Sequence, residues 1–117
     1  MTQEPERHAL VVGVRPERRD EYLALHRAVW PGVEQKLLEC NVRNYSICIF
    51  GDVLFAYYEY IGDDHDADMQ RIAEDPVSQE WWTHTDPCQV RVADEVDAGS
   101  LWQPIEEVWH LSGGAAD

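Results

Sequence analysis

Basic residues are scarce in this chain: nine Lys and Arg stand against 23 Asp and Glu, a formal charge of −14 over 117 residues. Nucleic acids and anionic membrane surfaces both demand a cationic patch, so the composition argues against both partners. Long apolar runs are missing too. No stretch approaches the ~20 residues that span a bilayer. The opening "MTQEPERHAL" carries acidic residues where a secretion signal needs a basic and then an apolar segment. Cysteine is sparse, and Cys40, Cys48 and Cys88 match no metal-motif spacing. This odd set reads as reduced thiols in a cytoplasmic protein. There is no Gly-rich phosphate loop and no Ser nucleophile elbow. The expectation is therefore no cofactor, with chemistry left to His, Tyr and carboxylates, which means proton transfer. A neutral small molecule such as a sugar is not repelled by this field.

What is present is apolar and aromatic: 44% hydrophobic residues, with five Trp and five Tyr. That is globular composition, and the length suits one domain over 1–117. Its ordered part is expected over about 8–111, with "SGGAAD" (112–117) a frayed tail. Residues 8–14, "HALVVGV", read as a strand. A helix follows from about Arg18 to Cys40, with Tyr22, Leu25, His26, Val29, Trp30, Val33 and Leu37 on one arc. Pro31 interrupts it at Trp30, and Asn41 stops it. "RNYSICIF" (43–50) and "VLFAYYEYI" (53–61) form a hairpin across Gly51-Asp52. Asp63 or Asp64 caps a helix over roughly 66–84 that Pro76 divides. Residues 86–104 read as irregular, and "IEEVWHL" (105–111) as the last strand.

The order predicts an α+β fold, the ferredoxin-like β-α-β-β-α-β plan with two helices on one face of an antiparallel sheet. Alternation sets Tyr45, Ile47 and Ile49 against Ser46, Cys48 and Phe50. Likewise Leu54, Ala56, Tyr58 and Tyr60 oppose Val53, Phe55, Tyr57 and Ile61. Neither face is polar, and the helices cover only one. The other calls for a partner, most simply a second copy, so a homodimer is expected.

Two features point past packing. Tyr22, His26 and Trp30 put three polar-tipped rings on one helix stripe at steps of four, and each needs a hydrogen-bond partner if buried. The stripe reads either as core with a satisfied histidine or as the wall of a pocket for a polar ligand. Trp81 and Trp82 are adjacent, so on a regular helix they point ~100° apart and cannot both face the core squarely. Flat aromatic faces suit the C–H surface of a sugar. "DDHDAD" (63–68) lacks the Gly and Glu of a calcium loop, and His84, Asp86 and Cys88 recruit no further ligand, so no metal site is expected.

The blocks "EYLALHRAVWPGVEQKL", "NYSICIF", "LFAYYEY", "QEWW" and "EEVWHL" occur in this order and closely resemble the L-rhamnose mutarotase family over residues 9–111. The resemblance implies a ferredoxin-like fold of the dimeric α/β-barrel type and interconversion of the α and β anomers of L-rhamnose. It implies His26 as the proton donor, and Tyr22, Tyr45, Trp81 and Trp82 as residues that contact the monosaccharide. The segment between Trp82 and the last strand departs from the family's Asn-Pro-rich loop. Because one fold hosts many activities, two alternatives stay open. One is a cofactor-free or haem-using monooxygenase of the dimeric αβ-barrel type. The other is a non-catalytic sugar-binding protein.

Overall fold

Alternation in β1 (Glu6–Val14) decides which side of the sheet is the core. Val12 and Val14 are fully buried. The neighbouring strand β3 (Val53–Tyr60) buries Leu54, Ala56, Tyr58 and Tyr60. The antiparallel register sets His8 against Tyr58, Leu10 against Ala56 and Val12 against Leu54, so these residues share one face. The other face carries Ala9, Val11 and Gly13 opposite Tyr57, Phe55 and Val53. The structure, a computed structural model, describes residues 4–92 and 101–112.

β2 (Val42–Phe50) pairs with β3 through a two-residue hairpin in which Phe50 faces Val53. Gly51 takes φ 59, the left-handed value that a primed hairpin turn needs at its first central position. Arg19 clamps the turn by donating from Nε to the Gly51 carbonyl at 3.1 Å.

Both prolines expected to interrupt helices begin new ones. The first helical segment is α1 (Arg19–His26), and Pro31 opens α2 (Pro31–Glu39). The second pair is α3 (His65–Ala73) and α4 (Pro76–Thr85). At the first helical position the missing proline N–H is no loss, and the residue before proline is pushed to extended backbone. Trp30 (ψ 134) and Asp75 (ψ 121) are extended accordingly. The cap of α3 is Asp64, which accepts from the Ala67 N–H at 3.1 Å, and Asp75 caps α4 by accepting from Ser78 at 2.9 Å. Asn41, just past α2, takes φ 70 and turns the chain into β2.

The sheet order is β2-β3-β1, with β4 (Gln89–Val90) and β5 (Gln103–Ile105) both on the remaining edge of β1. Both run antiparallel to β1, at its two ends. Together they occupy the fourth-strand position beside β1. The architecture is thus the expected β-α-β-β-α-β plan with helices on one face.

The last strand departs from expectation. It covers Gln103–Ile105, not 105–111. Its frame, Ala9 against Ile105, would set Glu106, Glu107 and Val108 opposite His8, Arg7 and Glu6, yet the pairing ends at Ile105. Arg7 still reaches Glu107 at 3.1 Å, but Val108, Trp109 and Leu111 lie exposed beyond the sheet. His110, expected on that strand, lies outside it, its Nδ1 3.9 Å from Glu107. Within the segment read as irregular, Asp86–Cys88 is a 3-10 turn leading into β4, and residues 93–100 lie outside the described residues. Of the expected tail, Ser112 donates to Glu4 at 2.6 Å, and 113–117 lie outside the described residues.

The core under the helices has two halves. One gathers Val12, Val14, Tyr22, Leu54 and Cys88, with Ile47, Ile49 and Trp102 packed against it. The other gathers Cys40, Val42, Tyr58, Tyr60 and Ile72, with Leu37, Met69 and Trp82. Each half contains a tyrosine whose ring neighbours an expected site residue.

Candidate active site

His26 is the last residue of α1, one turn beyond Tyr22. A backbone carbonyl only accepts, so the contact of 3.1 Å between His26 Nδ1 and the Tyr22 carbonyl assigns the proton to Nδ1. The lone pair of Nε2 is then free in the neutral ring. Burial lowers the His26 pKa, and the hydrogen bond to the Tyr22 carbonyl opposes that shift. The imidazole is therefore poised as a base before it can act as an acid.

The rings around it are ordered. Tyr22 stacks on His26 at 4.2 Å, and Trp81 meets His26 edge-on at 5.4 Å. Trp30 meets Trp81 at 5.2 Å. The break before Pro31 takes Trp30 off the helix that carries Tyr22 and His26, yet α4 brings the three rings back together through Trp81. Tyr22 is 2% exposed, and its pKa is raised strongly. Burial is the main cause, the neighbouring Tyr45 adds to it, and the Gln89 amide opposes it. Tyr22 therefore stays a neutral hydroxyl.

Tyr45 shares the helix-covered face with Ile47 and Ile49, next to a bulge. The β2–β3 register slips between Arg43 and Ser46, and Asn44 takes φ 53. Asn44 donates to Glu59 on the open face at 2.7 Å, and Tyr45 lies on the helix side, where it stacks on Tyr58 at 5.5 Å. The bulge returns Val42 to the helix side opposite Tyr60. Tyr45 leaves 41% of its surface to solvent, yet burial raises its pKa, so its ring edge is open while its hydroxyl lies among protein atoms.

The tryptophan pair is divided. Trp81 is buried against His26 and Trp30, whereas Trp82 is half-buried on the core half built around Tyr58 and Tyr60. Tyr22, His26 and Trp81 thus form one contact group. Tyr45 and Trp82 belong to a second, around Tyr58, and the Tyr22–Tyr45 proximity joins the two.

Three neighbours escape a motif-based reading. Tyr58, which backs Tyr45, shares a hydrogen bond of 2.7 Å with His65 Nε2, and burial pushes its pKa up to about 12. His65 stacks on His8 at 4.2 Å. Gln89 lies beside Tyr22. Alternation put Tyr58 on the helix face, but nothing in the sequence paired it with His65, and Gln89 falls in the segment read as irregular.

A family model described as L-rhamnose mutarotase matches residues 7–111. The chain belongs to the L-rhamnose mutarotase family. The L-rhamnose mutarotase of Rhizobium meliloti is 31% identical over 113 residues, covering 91% of this chain and 98% of the relative. That of Oceanobacillus iheyensis is 26% identical over 107 residues, covering 90% and 97%. The crystal structure of L-rhamnose mutarotase from Formosa agariphila superposes with a TM-score of 0.71 at 25% identity, covering 92% of this chain and 99% of that one.

Two clefts flank this mutarotase fold. One, of about 360 Å³, runs between α1 and α4, lined by Glu21, Ala24, Leu25, Ala28, Trp30 and Trp81. It is largely apolar and adjoins His26 through the shared Trp81. The larger, of about 430 Å³, lies between β1 and the C-terminal segment, where Arg7, Tyr57, Glu107 and Trp109 line it. None of the expected site residues reaches that one. The smaller cleft is the one beside the titratable, aromatic-walled corner at His26. Among the described residues, no group of three or more His, Cys, Asp or Glu could hold a metal ion. His84 faces Glu80 at 3.8 Å, and the Cys88 thiol donates to the His84 carbonyl at 3.6 Å.

Proposed function

We propose that the chain interconverts the α and β anomers of L-rhamnose, with His26 carrying the proton. The observation behind this reading is the His26 ring itself: Nδ1 is committed to the Tyr22 carbonyl, Nε2 has no hydrogen bond among the described residues, and burial favours the neutral form. Family membership supplies the substrate class.

Mutarotation needs the C1 hydroxyl to lose a proton and the ring oxygen to gain one. Neutral His26 takes the C1 hydroxyl proton at Nε2. C1 becomes a carbonyl as its bond to the ring oxygen breaks, and the imidazolium returns the proton to that oxygen. Rotation about C1–C2 presents the other carbonyl face, and the same steps in reverse close the ring. Both oxygens sit on one carbon, so one imidazole serves both. A positioned general base and acid contributes ~10²–10⁴-fold. Tyr22, held neutral, donates a hydrogen bond to the sugar. The rings of Trp81, Trp82 and Tyr45 offer it apolar faces and a hydroxyl. No cofactor enters these steps.

A homodimer and a cytoplasmic setting complete the proposal. The open sheet face, with Phe50 and Phe55 exposed, supports the first, and three free cysteines support the second. The test is NMR saturation transfer between the anomer signals of L-rhamnose with catalytic amounts of protein. Faster transfer than in buffer is expected. Binding without acceleration would mean a sugar-binding protein, and neither would remove the sugar reading.

A further inference from the structure

Gln89 opens β4 opposite Val14, on the helix-covered face, and is only 4% exposed. Its strand partner Val14 and its chain neighbour Cys88 belong to the core half that also holds Val12, Leu54 and Tyr22. Gln89 Oε1 has no hydrogen-bond partner among the described residues. A buried amide carbonyl without a donor is costly, and a methionine would fill the same volume without that cost. The chain therefore keeps an acceptor where stability alone favours an apolar residue. The neighbouring tyrosine is the one stacked on His26 at 4.2 Å.

We infer that Gln89 is a substrate-binding residue whose amide carbonyl accepts a hydrogen bond from a ring hydroxyl of the sugar beside Tyr22. This rests on the mutarotase reading. A hydroxyl donates one hydrogen bond and accepts others. Set between Gln89 Oε1 and the Tyr22 hydroxyl, it donates to the first and accepts from the second. Occupancy of the site then removes the unpaired carbonyl, so binding is strengthened by a defect carried in the free protein.

The test combines Gln89→Met with mono-deoxy analogues of L-rhamnose. In the free protein, the Met variant is expected to raise Tm by a few degrees, because the orphaned acceptor is gone. With L-rhamnose, KM is expected to rise ~10-fold while kcat stays within ~2-fold. One deoxy analogue should bind wild type more weakly than rhamnose does and bind the variant equally well; that coupling identifies the hydroxyl. Gln89→Leu is measured alongside, so that misfolding of one variant leaves the other to decide. A fall in Tm with KM unchanged would make Gln89 a structural residue and overturn the inference. Equal losses for every analogue in both proteins would overturn it too. Failure of the mutarotase reading has a separate signature: wild-type protein that accelerates no anomer exchange.

Discussion

The two faces of the sheet hold similar numbers of large side chains and use them oppositely. On the helix-covered face, ring after ring carries a polar tip with a partner. Tyr58 meets His65, Tyr60 donates to Asp68 at 2.6 Å, and His26 is tied to the Tyr22 carbonyl. On the open face, the centre is mostly apolar: Val11, Val53 and Phe55, with Phe50 at 80% exposure, and Cys48 and Gln103 at the two ends of the Phe55–Val11 row. Its hydrogen-bonded polar cluster lies toward one end, where Tyr57 and Asn44 both donate to Glu59. Burial of polar-tipped rings is expensive unless each tip is satisfied, so a face rich in them is organised for recognition. A mostly apolar face recognises nothing in particular and wants only to be covered. On the proposed function, the difference separates the face that does chemistry from the one that assembles.

That separation can be broken or sharpened by substitution. The largest effect is expected at Trp81, which is both core and site wall. Trp81→Ala should cost ~3–5 kcal/mol in denaturant unfolding and depress exchange as well. Half-buried Trp82 should cost less when truncated. If Trp82→Ala proves the more destabilising, the assignment of Trp81 as the anchor is wrong. Next comes His26→Ala, expected to lower anomer exchange ~10²-fold or more while Tm moves by only a few degrees. A variant that keeps near-normal exchange would remove His26 from the mechanism. On the other face, Phe55→Asp should shift light scattering from twice the 13.5 kDa chain mass to a single chain, with a smaller loss of exchange than at His26. Wild type that is already monomeric at micromolar concentration would contradict the assembly role.

The smallest effect is in pH. His26 has a folded pKa below its ordinary 6.5, so the unfolded chain binds more protons across the interval between the two values. Its contribution to stability is complete above 6.5 and is lost as pH falls toward the folded value. Tm should decline in that window, and His26→Gln should flatten that component. Exchange should fall on the acid side of the folded value, because the base is lost. A rate that rises on acidification would assign His26 the opposite starting form.

Much of this contrast was legible in the residues, because it depends on a period of two. Alternation in 45–50 and 53–60 assigned both faces before any coordinates, and the prolines marked where the helices divide. What was not legible depends on pairs far apart in the chain. The last strand stops at Ile105 although its register leaves His8, Arg7 and Glu6 as further partners in β1, and no residue in 105–111 marks that end. The bulge at Asn44 returns Val42 to the helix side opposite Tyr60, but the signal is a single asparagine that tolerates positive φ. His65 was read as part of a polar helix start, and its bond to Tyr58 arises from how α3 docks. Gln89 gave no signal, since an orphaned acceptor is defined by what fails to surround it.

The central claim is that the helix-covered face exchanges sugar anomers through His26. Saturation transfer between the α and β signals of L-rhamnose tests it directly, run side by side with wild type, folded His26→Ala and folded Phe55→Asp. The expected result is rapid transfer with wild type, near-buffer transfer with His26→Ala, and an intermediate rate with Phe55→Asp. Transfer at the buffer rate with wild-type protein, or undiminished transfer with His26→Ala, would contradict the account.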